Sequence, residues 1–273
     1  MREIFIVSND RFYLKKANYY NSNKNTFTIV DCFKKLKKVH LISRTSKKKL
    51  TFKSKLNNTQ IVDIFKIFKI QNKIRKTKTL IISLTPFNFL VGFILIFLGV
   101  KKDNLYLFLR SDGYEEYRIK FGILGYYFYS FMLIFLKKNL TILSCSKSLT
   151  GISKPRMVYP SEINDKWLKN RKKQIKTISQ NKTINLFYLG RFREEKGYQS
   201  LIDLFEQLSI KADLKMIGND FKYLKKKDYP KNLDLKISGQ IVRDKELIKC
   251  YDNCDIIILP SYVEAYPQVI LES

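Results

Sequence analysis

Two cations and two carboxylates carry the most specific chemistry in this chain of 273 residues. Arg191 and Lys196 lie just after the apolar run Ile184–Leu189. A strand that ends there would hold both within reach of one anion. Fixed cations placed where negative charge grows, as on a departing phosphate, stabilise a transition state more than the ground state. Glu264 and Glu272 stand on either side of Pro267. Proline suits the first turn of a helix, so Glu264 falls in the loop after a strand at Ile256–Leu259. Glu272 then falls between one and two turns into the helix, at about 1.5 Å rise per residue. The free N–H groups of that helix start, near Gln268 and Val269, offer an anion site. The plainer readings are a solvated loop, Arg191-Phe192-Arg193-Glu194-Glu195-Lys196, and two carboxylates that cap and solvate a helix start. Gly190, Gly218 with Asn219, and Gly239 with Gln240 each follow a strand pattern. Glycine there permits close backbone approach, and it is also an ordinary turn residue.

Three segments of the chain resemble the retaining, family 4 (group 1) type of glycosyltransferase, whose two-domain α/β architecture is called GT-B. They are Gly190–Gly197, Ile237–Gln240 and Asp255–Glu272, in that order and spacing within residues 181–273. The first 180 residues match the family's acceptor domain only in their alternating pattern. The resemblance implies a nucleotide-diphosphate-sugar donor (a UDP- or GDP-sugar), transfer with retention to a glycan or lipid-linked acceptor, and neither metal nor cofactor. It implies that Arg191 and Lys196 bind the diphosphate, that Glu264 contacts the donor sugar, and that Glu272 meets the ribose hydroxyls. Gly190, Gly218, Gly239, Gln240, Gln268 and Val269 complete the expected donor site. Asp112, in Ser111-Asp112-Gly113, stands where the family often places a His or acidic residue near the reacting carbon. A turn-forming Asp-Gly is its plainer reading. The catalytic set is thus expected to be Glu264, Arg191, Lys196 and Asp112. Three departures stand out. Ser8-Asn9-Asp10-Arg11 replaces the family's Gly-rich loop after the first strand, Ala265 replaces a common Gly, and the chain ends at Ser273, one residue past Glu272. About two further βα units, at roughly 30 residues each, would complete such a domain, so the second domain is expected to be truncated.

The charge supports an anionic partner. The chain carries 52 Lys and Arg against 24 Asp and Glu, a formal net charge of +28. Residues 181–273 hold 15 basic and 14 acidic residues, so the excess lies almost wholly in the first 180. A field of that size draws the protein toward a membrane surface, a nucleic acid or a phosphorylated substrate. No nucleic-acid motif is apparent, so an anionic membrane surface is the expected partner. Cell-surface polysaccharide or glycolipid synthesis would suit it, with the protein cytoplasmic and peripheral at the inner face of the cell membrane. The alternatives are a non-catalytic basic module that binds nucleic acid or another polyanion, and an epimerase or phosphorylase of the same fold. At 45% hydrophobic residues the chain is not disordered. Met1–Val7 reads as a strand and not as a leader. The four Cys lack framework spacing, and Cys250 and Cys254 read as buried thiols. The only His, His40, sits in an apolar strand and reads as structural.

Alternating apolar and amphipathic runs predict two Rossmann-like domains facing across a cleft, the second incomplete. The expected divisions are 1–165 for the basic acceptor domain, 166–180 for a linker with an outer helix, and 181–273 for the nucleotide-sugar domain. First-domain strands are expected at Ile4–Val7, Val39–Ser43, Leu80–Leu84, Tyr106–Leu109, Thr141–Ser144 and Met157–Pro160, with a helix over Ile61–Ile74. Second-domain strands are expected at Ile184–Leu189, Leu214–Ile217, Leu235–Ser238 and Ile256–Leu259, with helices near Tyr198–Leu208 and Lys245–Asn253. Leu80–Val100 is free of charge, but Ser83-Leu84-Thr85-Pro86 breaks it as a strand end and turn, so it reads as a buried βα unit. Phe121–Leu136, flanked by Arg118, Lys120, Lys137 and Lys138, suits a helix at a membrane interface. Arg110, Arg118 and Lys120 are candidates for a phosphate on an acceptor or lipid.

Overall fold

The computed structural model describes residues 3–15, 18–21, 24–33, 38–48, 50, 52–54, 59–146, 149, 155–159, 163, 165–169, 183–219, 229–239, 244–264 and 267–273. They fall into two units, Met1–Pro160 and Ser161–Ser273.

The first unit is built on a long strand, β1 (Glu3–Lys15), followed by β2 (Asn18–Asn21), helix α1 (Lys24–Cys32), β3 (Lys38–Thr45), β4 (Phe52–Ser54) and β5 (Thr59–Val62). After a 3-10 turn at Ile64–Ile70 come α2 (Gln71–Lys76), β6 (Thr79–Ile82), α3 (Pro86–Phe97), β7 (Leu105–Leu109), α4 (Gly113–Asn139), β8 (Thr141–Ser144) and β9 (Arg156–Met157). Seven strands run parallel in the order β5-β3-β1-β6-β7-β8-β9. The first six keep the doubly wound order, in which the strand sequence reverses beside the first strand. Buried Ile4, Ile6, Val39, Leu41, Leu80 and Ile82 pack with Val30 of α1 on one face. Ile81 meets the other face, where a Cβ on Gly92 of α3 would lie 3.3 Å from it and 3.2 Å from Leu136 of α4. Apolar residues on both faces are what a parallel sheet covered by helices requires.

Two expectations are corrected here. The first strand does not end at Val7: β1 runs on through Ser8–Arg11, with a register irregularity between Val7 and Arg11, and then pairs antiparallel with β2. The Ser8 hydroxyl donates to Asp10 Oδ2 at 3.1 Å and Arg44 Nη2 donates to Asn9 O at 2.7 Å, which satisfies the polar groups of the bulge. Ile61–Ile74 is not one helix. Ile61 pairs with Leu41 at the sheet edge, and Asp63 then caps the 3-10 turn by accepting from Phe65 N. The i, i+3, i+4 spacing alone could not reveal that Ile61 belongs to a ladder. Leu80–Val100 does form the expected βα unit, with Thr85 capping α3 and Pro86 in its first turn.

Buried His40 shares a 3.0 Å hydrogen bond with Glu3 Oε2, and Lys73 Nζ reaches the same oxygen at 2.6 Å. Lys73, and then His40, hold the Glu3 carboxyl below its ordinary value of 4.5. Burial holds the His40 imidazole below its ordinary 6.5. Both groups bind fewer protons folded than unfolded, so each contributes stability that is lost as pH falls. Urea midpoints of the first unit should therefore drop below the ordinary His value and again below the ordinary Glu value. His40→Gln should flatten the upper step; an unchanged pH profile in that variant would contradict it.

The second unit contains α5 (Asp165–Lys169), β10 (Ile184–Leu189), α6 (Tyr198–Leu204), β11 (Ala212–Ile217), β12 (Leu233–Ser238), α7 (Asp244–Asn253), β13 (Ile256–Ile257) and α8 (Gln268–Glu272). Its four strands are parallel in the order β12-β11-β10-β13. Leu186 and Tyr188 pack with Leu201 and Ile202 of α6 on one face, and Phe187 packs with Cys250 of α7 on the other. The strand Ile184–Leu189 has the boundaries read from its sequence. Of the expected linker 166–180, residues 170–180 lie outside the described residues.

Candidate active site

Parallel pairing brings the carboxyl ends of β10, β11, β12 and β13 to one edge of the second sheet, the place where open α/β sheets bind ligands. The loops there are packed through their glycines. Gly190 N donates to Ile217 O at 3.0 Å and Gly218 N to Ser238 O at 3.2 Å. A Cβ on Gly218 would lie 1.8 Å from Gly190 O, and one on Gly190 would lie 2.7 Å from the Tyr188 hydroxyl. Gly218 is therefore required by the contact of one loop with the next, whereas a Cβ at Gly190 would displace the ring of Tyr188 on its own strand. Gly239 is exposed at the end of β12, and Gln240 lies outside the described residues.

The loops after β10 and β13 are bonded together. Lys196 Nζ lies 2.6 Å from Glu264 Oε1 and donates to Val263 O at 3.3 Å, joining positions 68 and 67 residues apart. Tyr262 N donates to Glu195 O at 3.1 Å, and the Tyr262 and Ser200 hydroxyls share a hydrogen bond. Gly197, at φ +63°, lets the chain turn against Pro260. Arg191 is exposed in the same loop, and its carbonyl accepts from the Tyr188 hydroxyl at 3.0 Å. Burial, and then the charge of Glu264, push the Tyr188 hydroxyl above its usual range. Tyr188 thus lies beside the loop of Arg191 and within the electrostatic reach of Glu264. Sequence reasoning missed both Tyr188 and buried Glu195; the apolar alternation of β10, which points Tyr188 to the same face as Leu186, was the available signal for the first.

Glu272 occupies a different setting. Its Oε2 accepts from the Tyr251 hydroxyl at 2.7 Å, and Tyr251 packs edge-on against Phe187 and Trp167. Burial, and then Glu272, push the Tyr251 hydroxyl upward. Gln268 and Val269 open the short helix α8 after Pro267. Among the described residues no group of three His, Cys, Asp or Glu is placed to hold a metal ion.

This arrangement sits in a segment with known relatives. Residues 169–273 match the family model described as glycosyl transferases, group 1. The matched segment holds Arg191, Lys196, Glu264 and Glu272. No curated protein matches the chain. Solved structures that share its fold include three with the following likeness. A UDP-forming alpha,alpha-trehalose-phosphate synthase from Burkholderia vietnamiensis has a TM-score of 0.61 at 8% identity, over 100% of this chain and 80% of its own. The lipopolysaccharide outer core galactosyltransferase WaaB has 0.57 at 13%, over 100% and 77%. The Burkholderia xenovorans trehalose-phosphate synthase, in complex with glucose-6-phosphate, has 0.56 at 7%, over 100% and 82%. The mixed α/β fold with parallel sheets is thus that of GT-B glycosyltransferases, built from Rossmann-like units.

In the first unit, Asp112 caps α4 by accepting from Tyr114 N and Glu115 N at 3.0 and 3.2 Å. It stands in the loop after the carboxyl end of β7. Asp112→Ala should cost about 1 kcal/mol of unfolding free energy, whereas Asp112→Asn should cost little because Asn caps equally well. Equal urea midpoints for Asp112→Ala and the parent would contradict this.

Proposed function

We propose that this protein is a glycosyltransferase that moves a sugar from a nucleotide-diphosphate donor, a UDP- or GDP-sugar, to a glycan or lipid-linked acceptor with retention. The observation that carries the proposal is the contact of Lys196 with Glu264 across 68 residues, at the carboxyl edge of a parallel sheet within the segment that matches group 1. Lys196 and Arg191 bind the donor diphosphate and stabilise the charge that grows on it as the glycosidic bond breaks. Glu264 faces the donor sugar. It holds Lys196 until the donor enters and keeps the ammonium positioned for the phosphate. Glu272, oriented by Tyr251, meets the ribose. Gly190, Gly218, Gly239, Gln240, Gln268 and Val269 complete the donor surroundings, and the fixed cations take the role that a metal would otherwise fill. Asp112 acts on the acceptor side, so Asp112→Asn should lower transfer while leaving α4 capped.

The excess charge in the first 180 residues supports work at an anionic membrane surface, cytoplasmic and at the inner face. Polysaccharide or glycolipid synthesis fits that place. Calorimetric titration with UDP, GDP and ADP tests the donor reading. Saturable binding of one of them, lost in Lys196→Ala, is expected. Absence of binding by the folded protein to all three would refute it.

A further inference from the structure

Helix α4 passes for a membrane span by length and composition, yet it is folded in two. Gly122 has φ 66° and ψ −157°, a conformation open essentially to glycine alone. Beyond it the chain doubles back. A Cβ on Gly125 would lie 2.2 Å from Tyr117 O, although residues eight apart in a straight helix are separated by about 12 Å along the axis. Ring contacts seal the two arms: Tyr114 lies 5.2 Å from Tyr126 and 4.9 Å from Tyr129, and Tyr117 lies 5.3 Å from Tyr129. Gly113 is packed so closely on the Tyr129 ring that a Cβ there would lie 2.0 Å from it. The returning arm buries Tyr129, Met132, Leu133 and Leu136.

The tip of this hairpin is apolar and bare. Phe121, Ile123 and Leu124 are 64, 60 and 77% exposed. The bare surface continues down the returning arm through Phe128 and Phe131 and onto Phe93 of the adjoining α3, whose Phe89 packs on Phe131 and Phe135. No charged residue interrupts Phe121–Leu136, while Arg118 and Lys120 stand on the outgoing arm, paired with Glu115 and Glu116. A contiguous exposed apolar surface marks an interaction site. Here it belongs to the part of the chain with 37 basic and 10 acidic residues. A second copy of so basic a unit would be repelled, whereas an anionic bilayer attracts it from a distance and offers apolar depth at contact.

We propose that the hairpin tip Phe121-Gly122-Ile123-Leu124 inserts into the interface of an anionic lipid bilayer. The geometry connects this to the acceptor side. Asp112 caps the outgoing arm, so it stands about 13 Å from the tip at 1.5 Å per residue. Interfacial elements sink about 5–10 Å into the headgroup and acyl boundary, so with the outgoing arm along the bilayer normal Asp112 would stand roughly 3–8 Å above that boundary, at the level of the headgroups. The proposal extends the membrane-surface part of the functional reading and is independent of sugar transfer.

The test uses the full chain, no sugar donor, and phosphatidylcholine vesicles with or without phosphatidylglycerol. The parent should bind the phosphatidylglycerol vesicles and retain part of that binding at high salt. The variant Phe121→Ser with Leu124→Ser alters only exposed side chains, and circular dichroism checks its fold. It should lose about a hundredfold in partitioning, roughly tenfold for each large apolar side chain withheld from lipid. In an Ile123→Trp variant, indole fluorescence should be quenched by lipids brominated on the acyl chain. Equal vesicle binding by parent and double variant, fully abolished by salt, would overturn insertion and leave a purely electrostatic surface contact. No binding to either vesicle would overturn both the insertion and the membrane-surface reading. Concentration-dependent dimers that the double variant abolishes, without vesicle binding, would assign the face to self-association instead.

Discussion

Lys196→Ala should lower sugar transfer by about 10²–10³-fold, the loss typical when one fixed donor to a developing anion is removed. The variant does more than delete a cation. It leaves the Glu264 carboxylate, now 2.6 Å from Lys196 Nζ, facing the incoming phosphates without its partner. Nucleotide affinity should therefore fall further than the lost contact alone predicts. Glu264→Gln separates the two contributions: it removes the internal competitor for Lys196, so nucleotide should bind at least as tightly, while transfer still declines because the carboxylate facing the sugar is gone. The side chains of the pair are 18 and 27% exposed, and an ion pair so close to water contributes at most about 1 kcal/mol to folding. Urea unfolding should thus barely change while kinetics collapse. Transfer by Lys196→Ala at the parental rate would sink the assignment.

Gly197→Ala should be among the most damaging single-methyl changes in the second unit, because it combines backbone strain with a backbone overlap. Gly197 sits at φ +63°, and an added Cβ would lie 2.1 Å from the backbone oxygen of Pro260. The left-handed conformation costs an L-residue about 1–2 kcal/mol, and relieving the overlap requires two loop backbones to separate, so a loss on the order of 3 kcal/mol is expected. The same shift moves Lys196, its immediate neighbour, away from Val263 and Glu264, so transfer should fall along with stability. At Gly122 nothing lies within 4 Å of the position a Cβ would take, but its φ of 66° comes with ψ −157°, a conformation more restricted to glycine than the left-handed one of Gly197. Gly122→Ala should cost only the conformational strain. A loss in Gly197→Ala no larger than the left-handed strain alone, about 1–2 kcal/mol, would show that the Pro260 contact carries no weight.

Much of the second unit was legible because its signals are local. The apolar run Ile184–Leu189 is bounded by Gly190, and Pro267 announces the helix that carries Glu272. Lys196 and Glu264 were each recognisable, but their bond was not, since nothing local relates positions 68 residues apart. Tyr251 was missed as the partner of Glu272 for the same reason. In the first unit the polar run Ser8–Arg11 looks like the end of the first strand because its polar side chains are satisfied within a bulge, a fact of geometry that periodicity does not register. Hydropathy presents Gly113–Asn139 as one long apolar helix. Only the positive φ of Gly122, and the small residues Gly113 and Gly125 that admit Tyr129 and the Tyr117 carbonyl, turn it into a hairpin.

One carboxylate fastens an edge of the second sheet. Asp255 Oδ2 accepts from both the backbone N and the Nδ2 of Asn185 at 2.9 Å, and Asp255 N donates to Asn185 O at 2.8 Å. These bonds fasten a strand of two residues beside the central strand β10, across 70 positions of chain. Closing a loop of that length costs about 4 kcal/mol of chain entropy, more than two ladder positions return. The ladder alone does not offset that cost, so the packing of Phe187 and Ile257 with Cys250 and Tyr251 has to help hold β13 in place. Asp255 works as a latch on that edge of the sheet, and removing it should speed unfolding of the second unit more than it slows folding.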